Sequence, residues 1–245
     1  MNSQDHQLRV VLETGPEQHQ RLQALQQVFA SASNVLAPIV QQTRCWNRVG
    51  LHHLAYHRLR ELFPTMGSQM ACNAIYSVCR IARIAYQHPD SPFNLQRRGA
   101  QPLPLLQFTP QSPVYFDRHT LSLRDGVASL FTLEGRMRFD LVLEADDEQR
   151  FRHCKLRELA LSQQDGRFSL NFLFGEGSAA DQEQGHAPNP SGGGEATPHA
   201  AATPAADWPD YVLVQDGSQA DPQPLMAASQ GPRPGGKANP PSTLA

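Results

Sequence analysis

The sequence predicts an α+β fold: a β-barrel or curled sheet that carries a helical insertion and ends in a disordered tail. Three observations predict it. Between residues 17 and 87 the apolar residues recur at spacings of three and four, which marks amphipathic helices. Between 113 and 174 the period drops to two, in six short runs. Residues 176–245 hold 9 of the 17 Gly and 11 of the 20 Pro, with no long apolar run. Such a composition buries too little surface to offset the entropy of ordering.

The elements follow in order. Residues 7–13, QLRVVLE, are short and β-branched and read as the first strand. Gly15-Pro16 punctuates, and Pro16 suits the first turn of a helix, where no backbone N–H is needed. Leu22, Leu25, Val28, Phe29, Ala32, Val35, Leu36 and Ile39 then trace one helical face, and Pro38 is expected to kink or end that helix. After a loop near 43–50, a second helix covers 51–63, with Leu51, Leu54, Leu59, Leu62 and Phe63 as its apolar members and Pro64 as its stop. A third runs from Ser68, its expected N-cap, to Gln87, and buries Met70, Ala71, Ala74, Ile75, Val78, Ile81, Ala82 and Ala85.

Residues 93–113 are Pro-rich and lack a period. Strands are predicted at 113–117, 119–123, 127–133, 136–143, 154–163 and 167–174. Turns at Arg124-Asp125-Gly126, Glu134-Gly135 and Asp165-Gly166 separate several of them. The acidic run 145–149 reads as a solvated turn, and in the tail only 208–217 has a strand's pattern, either as a floppy segment or as one strand on a partner. A lone first strand needs a partner, and pairing it with the later sheet is the simplest arrangement. The chain then divides into a first barrel strand (1–14), an inserted helical lobe (15–92), the remainder of the barrel (93–175) and the tail (176–245).

The formal net charge of −2 conceals an asymmetry: residues 1–175 carry 19 basic against 15 acidic residues, and the tail 2 against 8. The stretch 44–98 is the most cationic. It holds Arg44, Arg48, Arg58, Arg60, Arg80, Arg83, Arg97 and Arg98 against only Glu61 and Asp90. That density favours a polyanion, because each phosphate contact releases counterions; it also suits a solvated helical face with scattered ion pairs. Trp46, Tyr56, Tyr115 and Phe116 are candidate exposed aromatics beside it, whereas Phe131, Phe139 and Phe168 fall on core positions.

Other chemistries find less support. No apolar stretch reaches the length of a membrane span, and the opening residues lack the apolar core of an export signal. Four Cys are too few for a disulfide framework, and Cys72 and Cys79 read as small core residues. His53 and His57 are spaced to hold a zinc ion on one helix face, but no second pair of ligands accompanies them. No nucleophile elbow or phosphate-binding glycine loop is present. The acidic cluster at 145–149 reads as a solvated turn rather than a metal cage, whereas a two-metal nuclease needs several carboxylates on strand ends. No cofactor is expected.

Taken in order, these pieces resemble the N-terminal half of TnpB-type proteins, the transposon-encoded RNA-guided nucleases also known as OrfB transposases. The resemblance rests on QLRVVLETGPEQHQRLQALQQVFASASN (7–34), HLAYHRLRELFPTMGSQMACNAIYSVCRIARIAY (53–86), PVYFDRHTLSLRDGVASLFTLEGRMRFDLVL (113–143) and LRELALSQQDGRFSLNFLF (156–174). It implies an oligonucleotide-binding-like β-barrel with an inserted helical recognition lobe, holding a guide RNA and the start of its heteroduplex with DNA. Ser68, Gln69 and Cys72 match the part of the recognition helix that reads a short DNA motif, and Gly135-Arg136 matches a turn whose arginine contacts phosphate or braces its hairpin. The RuvC-like nuclease domain that follows in the family has no counterpart after Phe174.

The resulting expectation is a nuclease-dead nucleic-acid-binding module with RNA as its partner and DNA as a second candidate. Two alternatives stand beside it. One is a degenerate fragment or protein-interaction module with no nucleic-acid role. The other is the binding half of a split or frameshifted endonuclease, with a separate nuclease chain. The absent export signal and free thiols lead to an expected cytoplasmic location.

Overall fold

A computed structural model describes residues 6–99, 101–175 and 209–215. The fold is α+β, with its strands in antiparallel sheets. Strand β1 (His6–Val11) opens the chain, and helix α1 (Pro16–Thr43) follows. Pro16 is its first residue, and the Gly15 N–H before it donates to Gln18 Oε1 at 2.9 Å. Of the two outcomes expected at Pro38, a kink or an end, the end does not occur, and the helix runs on to Thr43. Proline forfeits one backbone hydrogen bond there, while Leu36, Ala37 and Val40 on either side are buried, and that packing outweighs the local loss.

Helix α2 (Arg48–Leu62) is capped by Asn47, whose Oδ1 accepts from the N–H groups of Val49 and Gly50 at 2.9 and 3.1 Å. Its buried stripe is narrower than the sequence implied. Leu51, Ala55 and Leu59 face the core, whereas Leu54 and Leu62 are 53% and 52% exposed. Helix α3 (Ser68–Gln87) spans the expected range but is capped by Gly67, with Ser68 as its first helical residue. A side chain at Gly67 would meet the Phe131 ring, since its Cβ would lie 2.8 Å from Cε1. Tyr86, near the end of α3, is fully buried and donates to the Pro104 carbonyl at 2.7 Å.

The stretch expected to be irregular contains a short helix α4 (Leu95–Arg98) and strand β2 (Leu105–Phe108). Then come β3 (Val114–Phe116), β4 (Leu121–Arg124), β5 (Val127–Thr132) and β6 (Gly135–Asp140). The acidic run read as a turn is instead the start of helix α5 (Ala145–His153). Acidic Asp146, Asp147 and Glu148 sit in its first turn and basic Arg150, Arg152 and His153 in its last, which complements the helix dipole. Phe151 anchors it, 5.0 Å from the ring centroids of both Phe172 and Phe174.

Strands β7 (Lys155–Gln164) and β8 (Arg167–Gly175) complete residues 1–175. Hydrogen bonding groups the strands into a sheet of order β1-β8-β7-β3, a second of order β4-β5-β6, and a pair of β2 with β9 (Val212–Gln215). The opening strand does lie on the closing hairpin, in register from His6 opposite Phe174 to Val11 opposite Ser169. The hairpins β4–β5 and β7–β8 turn on Asp125-Gly126 and Asp165-Gly166, all four at positive φ as a type I′ turn requires. The expected disordered tail lies outside the described residues except at 209–215. There Val212–Gln215 is a strand, one of the two alternatives for this segment, but it is docked on its own chain rather than on a partner.

Candidate nucleic-acid interface

The two-residue period of the β4-β5-β6 sheet sorts its side chains onto two faces. Leu121, Ala128, Leu130, Met137 and Phe139 are buried in the core. Ser122, Arg124, Val127, Ser129, Arg136 and Arg138 line an open depression of about 360 Å³ on the other face. Ser122 stands opposite Ser129, Ser129 opposite Arg138, and Phe131 opposite Arg136. Arg136 donates from Nη2 to the His119 carbonyl at 2.8 Å and from Nη1 to the Ser129 carbonyl at 3.1 Å. It therefore braces the hairpin, while its guanidinium charge stays at the surface. Asp140, opposite Val127, is the acidic residue in this register. Three guanidiniums with two hydroxyls on one strand surface offer several donors at once to phosphate oxygens.

The sequence pointed to only one of these arginines. Arg124 and Arg138 were missed, although the alternation in Arg136-Met137-Arg138 places both arginines on one side of a strand. Phe131, assigned to the core from its spacing, is half-buried in the row of Arg136 and covers Gly67.

The arginines of 44–98 have several fates. Arg44, in the left-handed conformation, caps α1, and Arg58, Arg83 and Arg97 are exposed on α2, α3 and α4. Arg60 donates to the Met66 carbonyl and Arg98 to that of Pro102. Arg48 lies over the Tyr76 ring, 5.9 Å from its centroid. Ser68 is exposed, Gln69 donates its amide to the Asp117 carboxylate, and Cys72 is half-buried. Two candidate exposed aromatics are corrected: Tyr115 and Phe116 are buried, because β3 packs both of its faces. Trp46 packs on Tyr86 at 5.6 Å, and Tyr56 stacks on His52 at 4.6 Å.

Arg80 belongs to a second constellation that joins α3 to the sheet. Its Nε lies 3.0 Å from Glu158 Oε2, the same oxygen that accepts from the Tyr76 hydroxyl at 3.0 Å. Its Nη1 donates to the Tyr115 hydroxyl at 3.4 Å. Burial, then Glu158, push the Tyr76 phenol up to about 12, and burial likewise raises Tyr115 and Tyr211. Burial opposes the charge on Arg80, but Tyr115 and Glu158 outweigh it and hold the guanidinium above its ordinary value. Protonated phenols around a permanent ion pair make a brace, not a nucleophile. Burial also pushes the Cys79 thiol up to about 11 and raises that of Cys72. Among the described residues no group of three or more His, Cys, Asp or Glu is placed to hold a metal ion, and no helix is long and apolar enough to cross a membrane.

No family model matches this chain, and no curated protein matches it either.

Proposed function

We propose that this chain is a nucleic-acid-binding module that takes RNA, without nuclease activity of its own. The observation that carries the reading is the outer face of β4-β5-β6, where Arg124, Arg136 and Arg138 stand with Ser122 and Ser129 over an open depression. A flat, cationic strand surface with an aromatic ring in the next row suits the backbone of a single strand. In this reading the two larger sheets form the walls of an oligonucleotide-binding-like barrel, with α1 to α3 as its inserted lobe and a TnpB-type ancestry behind it. The element order, one strand, three helices and then strands, supports that ancestry, as does the pairing of β1 with β8.

The test is fluorescence anisotropy with a labelled single-stranded RNA across a salt series. Log affinity falls with log salt by roughly 0.7 per phosphate neutralised on a single strand, so changing Arg124, Arg136 and Arg138 together to Gln flattens the slope by about 2. An affinity indifferent to salt, or a slope untouched by the triple change, overturns the reading.

A further inference from the structure

The outer face of β4-β5-β6 is a grid of facing residues. One row runs Arg124, Val127 and Asp140 across the three strands, and the next runs Ser122, Ser129 and Arg138. Neighbouring strands lie about 4.8 Å apart, and successive rows about 6.8 Å apart along a strand. The two serines therefore stand side by side. Arg138 borders Ser129 on one side, and Arg124 follows Ser122 by one row along β4. Asp140 holds the corner beyond Val127 and repels a phosphate from it, which leaves the two arginines as the anion-binding positions.

The polar groups of the grid differ in what they still have to offer. Arg136 donates from Nη1 to the Ser129 hydroxyl oxygen at 3.4 Å, in addition to the carbonyl of the same residue. Ser129 Oγ thus already accepts, and its O–H is left to donate. Among the described residues, the Ser122 hydroxyl and the guanidiniums of Arg124 and Arg138 have no side-chain partner, and all three line the depression. A hydroxyl that donates stands beside one that can accept, and an unpaired guanidinium stands next to each. The complementary group both accepts and donates, and it lies between two phosphates. The 2′-hydroxyl of a ribose is such a group. In DNA the same position carries only hydrogen.

Resting on the RNA-binding reading above, we propose that this face selects RNA over DNA by seating a ribose 2′-hydroxyl between Ser122 and Ser129, with the flanking phosphates on Arg124 and Arg138. The ribose oxygen accepts from the Ser129 O–H and donates its own proton to Ser122 Oγ. Deoxyribose forms neither bond. A net hydrogen bond is worth roughly a factor of five in affinity. Both serines are half-buried, so water replaces part of what deoxyribose forfeits, and the preference for RNA is at least about fivefold rather than the product of two full bonds.

The test uses the full chain and fluorescence anisotropy with three labelled oligonucleotides of one length: oligouridine, its 2′-deoxy form and its 2′-fluoro form. Bases and phosphates are the same in all three, and the fluoro sugar keeps a ribose-like pucker without a proton to donate. Oligouridine binds at least about fivefold more tightly than either of the others. Changing Ser122 and Ser129 together to Ala lowers oligouridine to the affinity of the deoxy form. The deoxy form keeps its own affinity and salt slope in that variant, a sign that the cationic face is intact. Equal binding of the ribose and deoxy forms, a fluoro form that binds as oligouridine does, or a preference that survives the double serine change each overturns selection by the 2′-hydroxyl. In those cases a salt slope that the triple arginine change flattens leaves the RNA-binding reading standing. Binding of none of the three with a salt-dependent affinity overturns both. Should the double serine variant fail to fold, the three oligonucleotides on the unchanged protein still decide.

Discussion

Asn34 and the buried phenols show how single residues connect distant parts of this chain. Asn34→Ala removes both hydrogen bonds to Phe108 and leaves its N–H and carbonyl unpaired against α1. The expected cost is about 1–3 kcal/mol, read as a lower urea midpoint. The phenols act through pH. The Tyr76 pKa is raised from an ordinary 10.0 to about 12, and Tyr86, Tyr115 and Tyr211 are raised as well. Below pH 10 both folded and unfolded chains keep the phenols protonated, so their stabilising contribution is complete. Between about 10 and 12 the unfolded chain loses those protons first, and stability falls as pH rises. An absorbance titration near 295 nm, one measure of tyrosine ionisation, then shows four of the five tyrosines ionising late and together with loss of circular dichroism; independent ionisation near pH 10 contradicts the brace. At this scale little was legible in the sequence. Asn34 reads as one more helical residue, and its partner lies 74 positions away.

The elements divide by how far their determinants lie along the chain. Helix α3 was legible over its whole length, because its own apolar spacing decides its buried face. So were the two Asp-Gly hairpins, because a type I′ turn is a local demand on φ. Gly126→Ala and Gly166→Ala each force a side chain into the left-handed region, at an expected cost of about 1–2 kcal/mol in chemical denaturation. Strand β2 escaped notice, since its period has meaning only with Asn34 on one edge and β9 on the other. Helix α5 escaped for a related reason: it buries no residue fully, and Phe151 alone ties it to the β8 phenylalanines. In α1, the end allowed for at Pro38 gave way to packing that the local sequence does not display.

For the molecule as a whole, the question is whether charge acts by amount or by placement. The cationic count of 44–98 was readable, but the fold spends Arg60, Arg80 and Arg98 on internal partners and spreads Arg58, Arg83 and Arg97 over three helices. The arginines that share a surface, Arg124, Arg136 and Arg138, come from a segment whose own charge is nearly balanced. This allows a comparison at equal charge. Changing Arg58, Arg83 and Arg97 to Gln removes the same three charges as the sheet-face triple variant. If a strand tracks the sheet face, the helical variant keeps most of its salt slope and loses affinity only through the long-range field, within a Debye length of about 8 Å at physiological salt. The sheet-face variant loses about 2 from the slope. Equal losses from both variants mean that RNA meets a diffuse cation rather than a surface, and the β4-β5-β6 face then has no special place in binding.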